Sequence, residues 1–466
     1  MARIMIDGTE YAAYPGELLS DALRRAGFSV PMPCGGRGTC GKCLVTVNGK
    51  RERACGYIIE SDIRVVLPGR ETIVSDLGAN TGAEGTGNLA LALDIGTTTL
   101  AAALISLDGG RIVRAATGVN PQRAFGADVM NRIGYCREHG PAPLRDAVTG
   151  AVKELLTQLD VPPVGTMFTA GNTTMLHLFF GVDCSAMGTA PYTPVFLESK
   201  TVPGEDLGFS GIGNIVSLPS AAAFVGADLT AGLNSVGLPP EGKYRLLIDL
   251  GTNAEVVLFS REGALCTAAA AGPCFEGANI SCGMSASPGA ICAYSARGYA
   301  TVGGAPAVGV CGTGLVDAVA ALLEDGTIDG SGYMECESFE LAPGVTLTQA
   351  DVRQYQLAKS AVLSAVQTLL QMRGVSYEEI DALYIAGGFS AKIDIENAVK
   401  TGLLPGELKE KCAAVGNSSL LGTAKYAAEK NDLSVFLDHM TYVDLAADPV
   451  FSELFVENML FGGDEA

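Results

Sequence analysis

The chain has 466 residues, 48% hydrophobic and 18% charged, with 31 Lys and Arg against 51 Asp and Glu, a formal charge of −20. That length predicts two or three separate cores, and the acidic balance argues against a nucleic-acid partner or an anionic membrane surface. Apolar runs are broken by Gly, Asp or Pro before the roughly 20 residues that cross a bilayer, and Met1–Glu10 alternates like a strand rather than a signal peptide, so a cytoplasmic location is expected. Of 13 cysteines, four cluster and nine are scattered, which fits a reducing compartment and a metal centre better than a disulfide framework. Composition leaves an oxygen-poor, anaerobic habitat open.

Residues 3–7 and 10–14 read as a hairpin around Gly8, and Leu18–Ala26 as a helix with apolar residues at Leu18, Leu19, Ala22 and Leu23. The run PCGGRGTCGKC follows, giving Cys34, five residues, Cys40, two residues, Cys43, and after a strand and turn at Leu44–Arg53, Cys55. Four thiolates are the ligand set of a [2Fe-2S] cluster. A loop wrapped on inorganic sulfide must turn its N–H groups inward, and Gly35, Gly36, Gly38 and Gly41 permit that. Zinc is the competing metal, but four-cysteine zinc sites use two separated C-x2-C pairs, and only one pair is present. After IRVVLP at 63–68, residues 76–88 carry glycines at 78, 82, 85 and 87 and read as a flexible linker. A coil of that length spans about 20 Å.

From Leu89 the chain reads LALALDIGTTTLAAALISLDGGRI, a buried strand ending at Asp94, a Gly-Thr turn, a second strand and a hairpin at Asp108–Gly110. The unit returns as YRLLIDLGTNAEVVLFSREGAL, where Asp249, Gly251, Thr252 and Asn253 match Asp94, Gly96, Thr97 and Thr98. A second pair of segments, MFTAGNT at Met167–Thr173 and LYIAGGFS at Leu383–Ser390, each runs from a strand toward a helix. One acidic turn alone is an ordinary β turn; two copies imply a duplication. Backbone N–H groups and hydroxyls at Gly96, Thr97, Thr98 and Thr99, and at Gly251, Thr252 and Asn253, suit phosphate oxygens. Asp94 and Asp249 supply the charge to hold Mg2+ through water. Glu255 is the candidate to orient the attacking water, with a plain surface residue on a strand as the competing reading.

Gly312 and Gly314, in VCGTGLVDAVAALLEDG, open a helix whose N-terminus adds an anion site to the cleft or serves tight packing. Gln349–Arg373 reads as a pair of core helices without chemistry. Cys274 and Cys282 read as small buried hydrophobes rather than redox ligands. His139, His177 and His439 are isolated, and no nucleophile elbow, zinc-protease motif or Rossmann fingerprint is present.

The duplicated halves resemble the actin, Hsp70 and sugar kinase superfamily. There the two turns grip the phosphates of ATP from opposite walls of a cleft, and the later Gly-Gly turn, here Gly387 and Gly388, closes on the adenosine. The whole chain resembles the ATP-dependent reductive activators of corrinoid proteins. Besides the motifs above, the resemblance rests on AGNTTMLHLFFG at 170–181, AFVGADLTAG at 223–232, IDLGTNAE at 248–255, CGTGLVDAVAALLEDGTID at 311–329, TQADVRQYQLAKSA, IAGGF and VGNSSLLGTA at 415–424. Ser390 stands where the family usually has Gly.

The resemblance implies a small ferredoxin-like (β-grasp) N-terminal domain followed by a duplicated actin-like ATPase with RNase H-like halves. The expected limits are 1–75 for the cluster domain, 76–88 for the linker, and 89–240 and 241–466 for the two halves. The implied activity is ATP-driven transfer of one electron to the inactive Co(II) corrinoid of a methyltransferase system, restoring Co(I). It further implies a [2Fe-2S] cluster, ATP and Mg2+ as cofactors, an external low-potential electron donor, and a homodimer. The rival readings are an activator of another low-potential or radical enzyme, and a non-redox nucleotide switch or small-molecule kinase.

Overall fold

A computed structural model describes residues 2–6, 9–26, 28, 30, 32, 43–66, 88–108, 110–126, 128–251, 253–388 and 390–462. Cys34, Cys40, the glycines between them, Thr252, and all of the expected linker but Asn88 lie outside the described residues. The chain divides into two compact units, one of Met1–Glu71, Val119–Ala151 and His177–Val195, the other of Thr72–Gly118, Val152–Leu176 and Phe196–Ala466.

In the first unit, β1 (Ala2–Ile6) and β2 (Thr9–Ala13) form the expected hairpin, followed by α1 (Leu19–Arg25), β3 (Leu44–Val47), β4 (Lys50–Arg53) and β5 (Ile63–Val66). They make one mixed sheet in the order β2-β1-β5-β3-β4, with β5 parallel to β1. Strand β1 alternates strictly, Ala2, Ile4 and Ile6 inward and Arg3 and Met5 outward, so one face of the sheet is core. Helix α1 lays Leu19, Ala22 and Leu23 into that core. This hydrophobic spacing was legible in the sequence; the helix starts one residue later than predicted. Within the same unit the α1 residue Arg24 donates to the carbonyl of Ala124 and lies 5.2 Å from the Phe125 ring centroid.

The first ATPase half runs β6 (Leu89–Ile95), β7 (Thr99–Ser106), β8 (Arg111–Val119), α2 (Val129–His139), α3 (Ala142–Gln158), β9 (Val164–Gly171), α4 (Thr173–Phe179), β10 (Thr201–Pro203), β11 (Ile212–Ser217) and α5 (Ala227–Val236). The second opens with β12 (Tyr244–Leu250), β13 (Ala254–Phe259) and β14 (Ala264–Ala269). An inserted three-stranded sheet follows, β15 (Ala290–Ser295), β16 (Gly298–Thr301) and β17 (Gly309–Val310), then α6 (Gly312–Glu324), the hairpin β18 (Ser338–Ala342) and β19 (Val345–Thr348), and α7 (Gln349–Arg373). It closes with β20 (Ile380–Ala386), α8 (Ile395–Lys400), β21 (Cys412–Gly416), α9 (Ser418–Glu429), α10 (Ser434–Leu437), β22 (Met440–Tyr442) and α11 (Pro449–Glu457).

The sheet orders expose the duplication. One six-stranded sheet is β10-β11-β9-β6-β7-β8 and the other β21-β20-β12-β13-β14-β22. Apart from one edge strand each, both place an antiparallel three-strand meander beside two parallel strands, with β6 parallel to β9 as β12 is to β20. Helices α5 and α9 cross one another, α9 resting on β6, β7 and β9, and α5 on β9 and β12. The crossing is close because a Cβ on Gly422 of α9 would lie 1.7 Å from the Ala231 carbonyl oxygen of α5.

Residues 349–373 form one 25-residue helix, not the pair of helices expected. Nothing inside it breaks the backbone, since no Gly or Pro occurs before Gly374. Thr348 and Asp351 make a reciprocal capping box at its start, and Gly374 ends it in the left-handed conformation at φ 68°. Its polar side chains hold the end of α11 and the segment that follows it: Gln356 donates to the Met459 carbonyl, Lys359 to that of Leu460, and Ser360 to that of Phe455, while Asn458 donates to Ser364 and Gln367. Phe461 is buried against Tyr355. No described helix is long and apolar enough to cross a membrane.

Candidate functional site

Two centres emerge, one in each unit. In the first, Cys43 and Cys55 are buried in the apolar core with their sulfurs 3.2 Å apart. Strands β3 and β4 bring them together, the Leu44–Arg53 ladder closing so that Ala54 N–H donates to the Cys43 carbonyl. Two adjacent sulfurs sealed among Ile, Val and Leu side chains suit thiolates sharing one metal ion, because buried polarisable ligands need a cation to stay charged. The remaining two predicted ligands, Cys34 and Cys40, lie outside the described residues.

In the second unit, one cleft gathers residues far apart in sequence. It is lined by Asp94, Gly96, Thr97, Thr98 and Thr99 from the first acidic turn, Asp249, Gly251, Asn253 and Glu255 from the second, and Gly312, Gly387 and Gly388. These are the predicted cleft residues except Thr252, which lies outside the described residues, and Gly314, which packs beside the cleft: its Cβ would meet the Ile291 carbonyl oxygen at 2.1 Å. Gly387 sits at φ 105°, and a Cβ there would stand 2.2 Å from the Leu250 carbonyl oxygen. Only glycine lets β20 close over the end of β12. Ser390 then finishes this turn, its hydroxyl donating to the Gly387 carbonyl at 2.8 Å.

The duplicated aspartates have diverged. Asp94 is 9% exposed and accepts from the Ser419 hydroxyl and the Asn417 amide, each at 2.7 Å. Both donors stand at the N-terminus of α9, so Asp94 ties the first half to the second. Burial raises its pKa and these two bonds oppose the rise. Asp249 has a different setting. Strand register places Glu255 directly opposite it on β13, where the first half has Ala101 opposite Asp94. At the start of α5, where α9 offers Ser418 and Ser419, the chain has Asp228.

Asp228, Asp249 and Glu255 therefore face one another as carboxylates. Each keeps some surface toward the cleft, yet the surrounding protein leaves little water to solvate charge. Burial, then repulsion from neighbouring carboxylates, lifts Asp228 to about 7 (beside Asp94) and Asp249 to about 8 (beside Asp228 and Asp94), and raises Glu255 well above the carboxylate range (beside Asp228, Asp249 and Glu276). No lysine or arginine is among the described residues lining the cleft. Among the described residues no three acidic, His or Cys side chains converge tightly enough to ligate one ion directly. Mg2+ suits this arrangement because it retains several waters and contacts few carboxylates. Asp228 was missed from the sequence, and so was Glu276, which accepts from the Thr98 hydroxyl at 2.9 Å.

Of the scattered cysteines, Cys274 is buried and its thiol is pushed up by burial, in keeping with a packing role, while Cys282 is half-buried and accepts from the Thr346 N–H. His177 is fully buried with its Nε2 accepting from Val195 N–H, a structural contact.

Comparison with known proteins matches three segments of the chain. Residues 1–67 match the 2Fe-2S iron-sulfur cluster binding domain, residues 89–240 the RACo middle region, and residues 243–466 the C-terminal domain of RACo, the ASKHA domain. The chain is 31% identical over 418 residues to the corrinoid activation enzyme RamQ of Eubacterium limosum, covering 80% of this chain and 70% of that one. It is 27% identical over 382 residues to the Co(II) methylated amine-specific corrinoid protein reductase of Methanosarcina barkeri, covering 74% and 70%. A solved structure titled reductive activator for corrinoid, iron-sulfur protein superposes with a TM-score of 0.74 at 28% identity, covering 99% of this chain and 98% of its own. The fold is thus an N-terminal ferredoxin-like [2Fe-2S] domain joined to an actin-like ATPase that uses ATP and Mg2+, and the chain belongs to the RACo family of reductive activators.

Proposed function

We propose that this chain uses ATP to return one electron to the Co(II) corrinoid of a methyltransferase system, restoring Co(I). The observation that carries the reading is the pairing, in one polypeptide, of a buried Cys43–Cys55 thiol pair with a carboxylate-lined nucleotide cleft. The named activities of the relatives support it. When bound, the [2Fe-2S] cluster supplies a one-electron carrier and Mg2+ neutralises phosphate charge. Every 59 mV of uphill one-electron transfer costs about 1.4 kcal/mol, so a strongly reducing product requires an energy source that a ferredoxin domain lacks. The ATPase domain provides it by binding the Co(II) and Co(I) forms of the partner with different affinity.

Cys34, Cys40, Cys43 and Cys55 are the cluster ligands in this reading. Gly96–Thr99 and Gly251–Asn253 cradle the phosphates, Gly312 adds backbone dipole, and Gly387 and Gly388 close on the adenosine. Asp249, joined by Asp228, holds hydrated Mg2+; Glu255 orients the attacking water; Asp94 positions α9 against the first turn. Domain limits of 1–75, 89–240 and 241–466 are supported by the family ranges. An external low-potential donor, a homodimer and a cytoplasmic location complete the proposal.

The test is anaerobic. Reduced protein is mixed with a Co(II) corrinoid protein, with and without Mg-ATP, and Co(I) is followed by its visible spectrum. Co(I) appearing only with ATP, and lost in Cys43→Ser, is the expected outcome. Absence of Co(I) with several corrinoid partners, despite a loaded cluster and bound ATP, would transfer the reading to another low-potential enzyme.

A further inference from the structure

Glu276 stands between the two phosphate turns. Its Oε2 accepts from Thr98 on the first turn, and its Oε1 lies 3.9 Å from where a Cβ on Gly251 of the second would be. It is also near enough to Glu255 to help raise that group. Its position is built rather than incidental. It ends a 3-10 turn, Pro273–Glu276, whose Cys274 and Phe275 are both 2% exposed, with Phe275 edge-on to Tyr355 at 5.8 Å. Gly277 closes the turn at φ 80°, and a Cβ there would meet the Met284 backbone at 2.4 Å. Gly312 packs equally close to the Phe275 carbonyl oxygen, 2.2 Å from a Cβ. The anchors are core, so the carboxylate is held where it is.

A threonine hydroxyl has one proton to donate. Thr98 cannot give it to Glu276 and to a phosphate oxygen together. We propose that Glu276 is a positioning residue that competes with nucleotide phosphate for the Thr98 hydroxyl, so that phosphate entry transfers the bond and phosphate departure restores it. This deepens the nucleotide-site reading given above and rests on it. The competition has two parts, the shared proton and charge repulsion, and both weaken binding. Repulsion acts more strongly on uncomplexed ATP than on Mg-ATP, whose charge is partly neutralised.

The test is calorimetry of nucleotide binding to the full chain. Glu276→Gln keeps the side chain's shape and removes its charge. It is expected to tighten ATP binding about 10-fold in chelator and about 3-fold with Mg2+, a split that follows from charge at short range. In a Thr98→Val background the residual gain from Glu276→Gln with Mg2+ is expected to fall below about 2-fold, since part of the effect runs through a bond no longer present. Weaker Mg-ATP binding by Glu276→Gln would overturn the proposal and make Glu276 a holder of the cation's waters. Equal gains in both backgrounds would overturn the exchange through Thr98. Should the glutamine variant fail to fold, Glu276→Ala carries the same expected direction and the same contrary outcomes. Parental protein that binds Mg-ATP while the variants show no gain defeats this proposal alone; parental protein that binds no nucleotide defeats the nucleotide-site reading with it.

Discussion

Asp94 and Asp249 occupy matching positions in a duplicated unit, yet substitution should move stability in opposite directions. Asp94→Ala leaves the Asn417 amide and Ser419 hydroxyl without their acceptor, at a cost of about 2–3 kcal/mol. Asp249→Asn removes a buried carboxylate repelled by Asp228 and Asp94, so melting temperature is expected to rise while Mg-ATP hydrolysis falls about 100-fold or more. Thermal melts and phosphate release on the two variants check both signs; lower melting temperatures for both would contradict the divergence. The carboxylates also set a pH dependence. Their folded values lie above the unfolded value of about 4, so their contribution to stability is complete below that pH and is lost as pH rises through about 7 to 8. Mg2+ should accordingly raise the melting temperature more at pH 8 than at pH 6. An equal effect at both would place the cation away from Asp228, Asp249 and Glu255.

At the scale of elements, the α5–α9 crossing positions the cleft. Gly422→Ala would drive a methyl into the Ala231 carbonyl, at a cost of about 3 kcal/mol, and displace the helix that presents Asn417 and Ser419 to Asp94. Urea unfolding and Mg-ATP affinity should both weaken; unchanged affinity would show that α9 moves without disturbing the turn. Elements with local signals were readable from the chain. The alternation of β1, the apolar stripe of α1 and the twin acidic turns each announce themselves within a short window. The stretch 349–373 reads as two helices but forms one, since no Gly or Pro divides it. Asp228 and Glu276 gave no local sign. Asp228 is one acid at a helix start, and its meaning arises only when α5 reaches β12; Glu276 acquires its partner from a turn 178 residues away. Sequence patterns report periodicity and turns, whereas these contacts are made by tertiary closure.

For the whole molecule, cluster and cleft reside in one polypeptide, and whether they must act within the same copy can be tested by mixing. Cys43→Ser lacks a proposed cluster ligand and Asp249→Ala lacks a cleft carboxylate. If both centres serve one copy, an equimolar mixture produces no more Co(I) than the better variant alone. Recovery of activity would mean that one copy supplies the electron while another hydrolyses ATP. The clamp on α7 bears on the second unit in a different way. Segments that follow a last helix ordinarily exchange their amide protons fast, because little holds them. Here Gln356, Lys359 and Ser360 each grip a separate carbonyl of residues 455–460, and Asn458 reaches back to the same helix. In deuterated solvent, the amides of α11 and the turn after it should therefore become labelled together with those of α7, as one cooperative block.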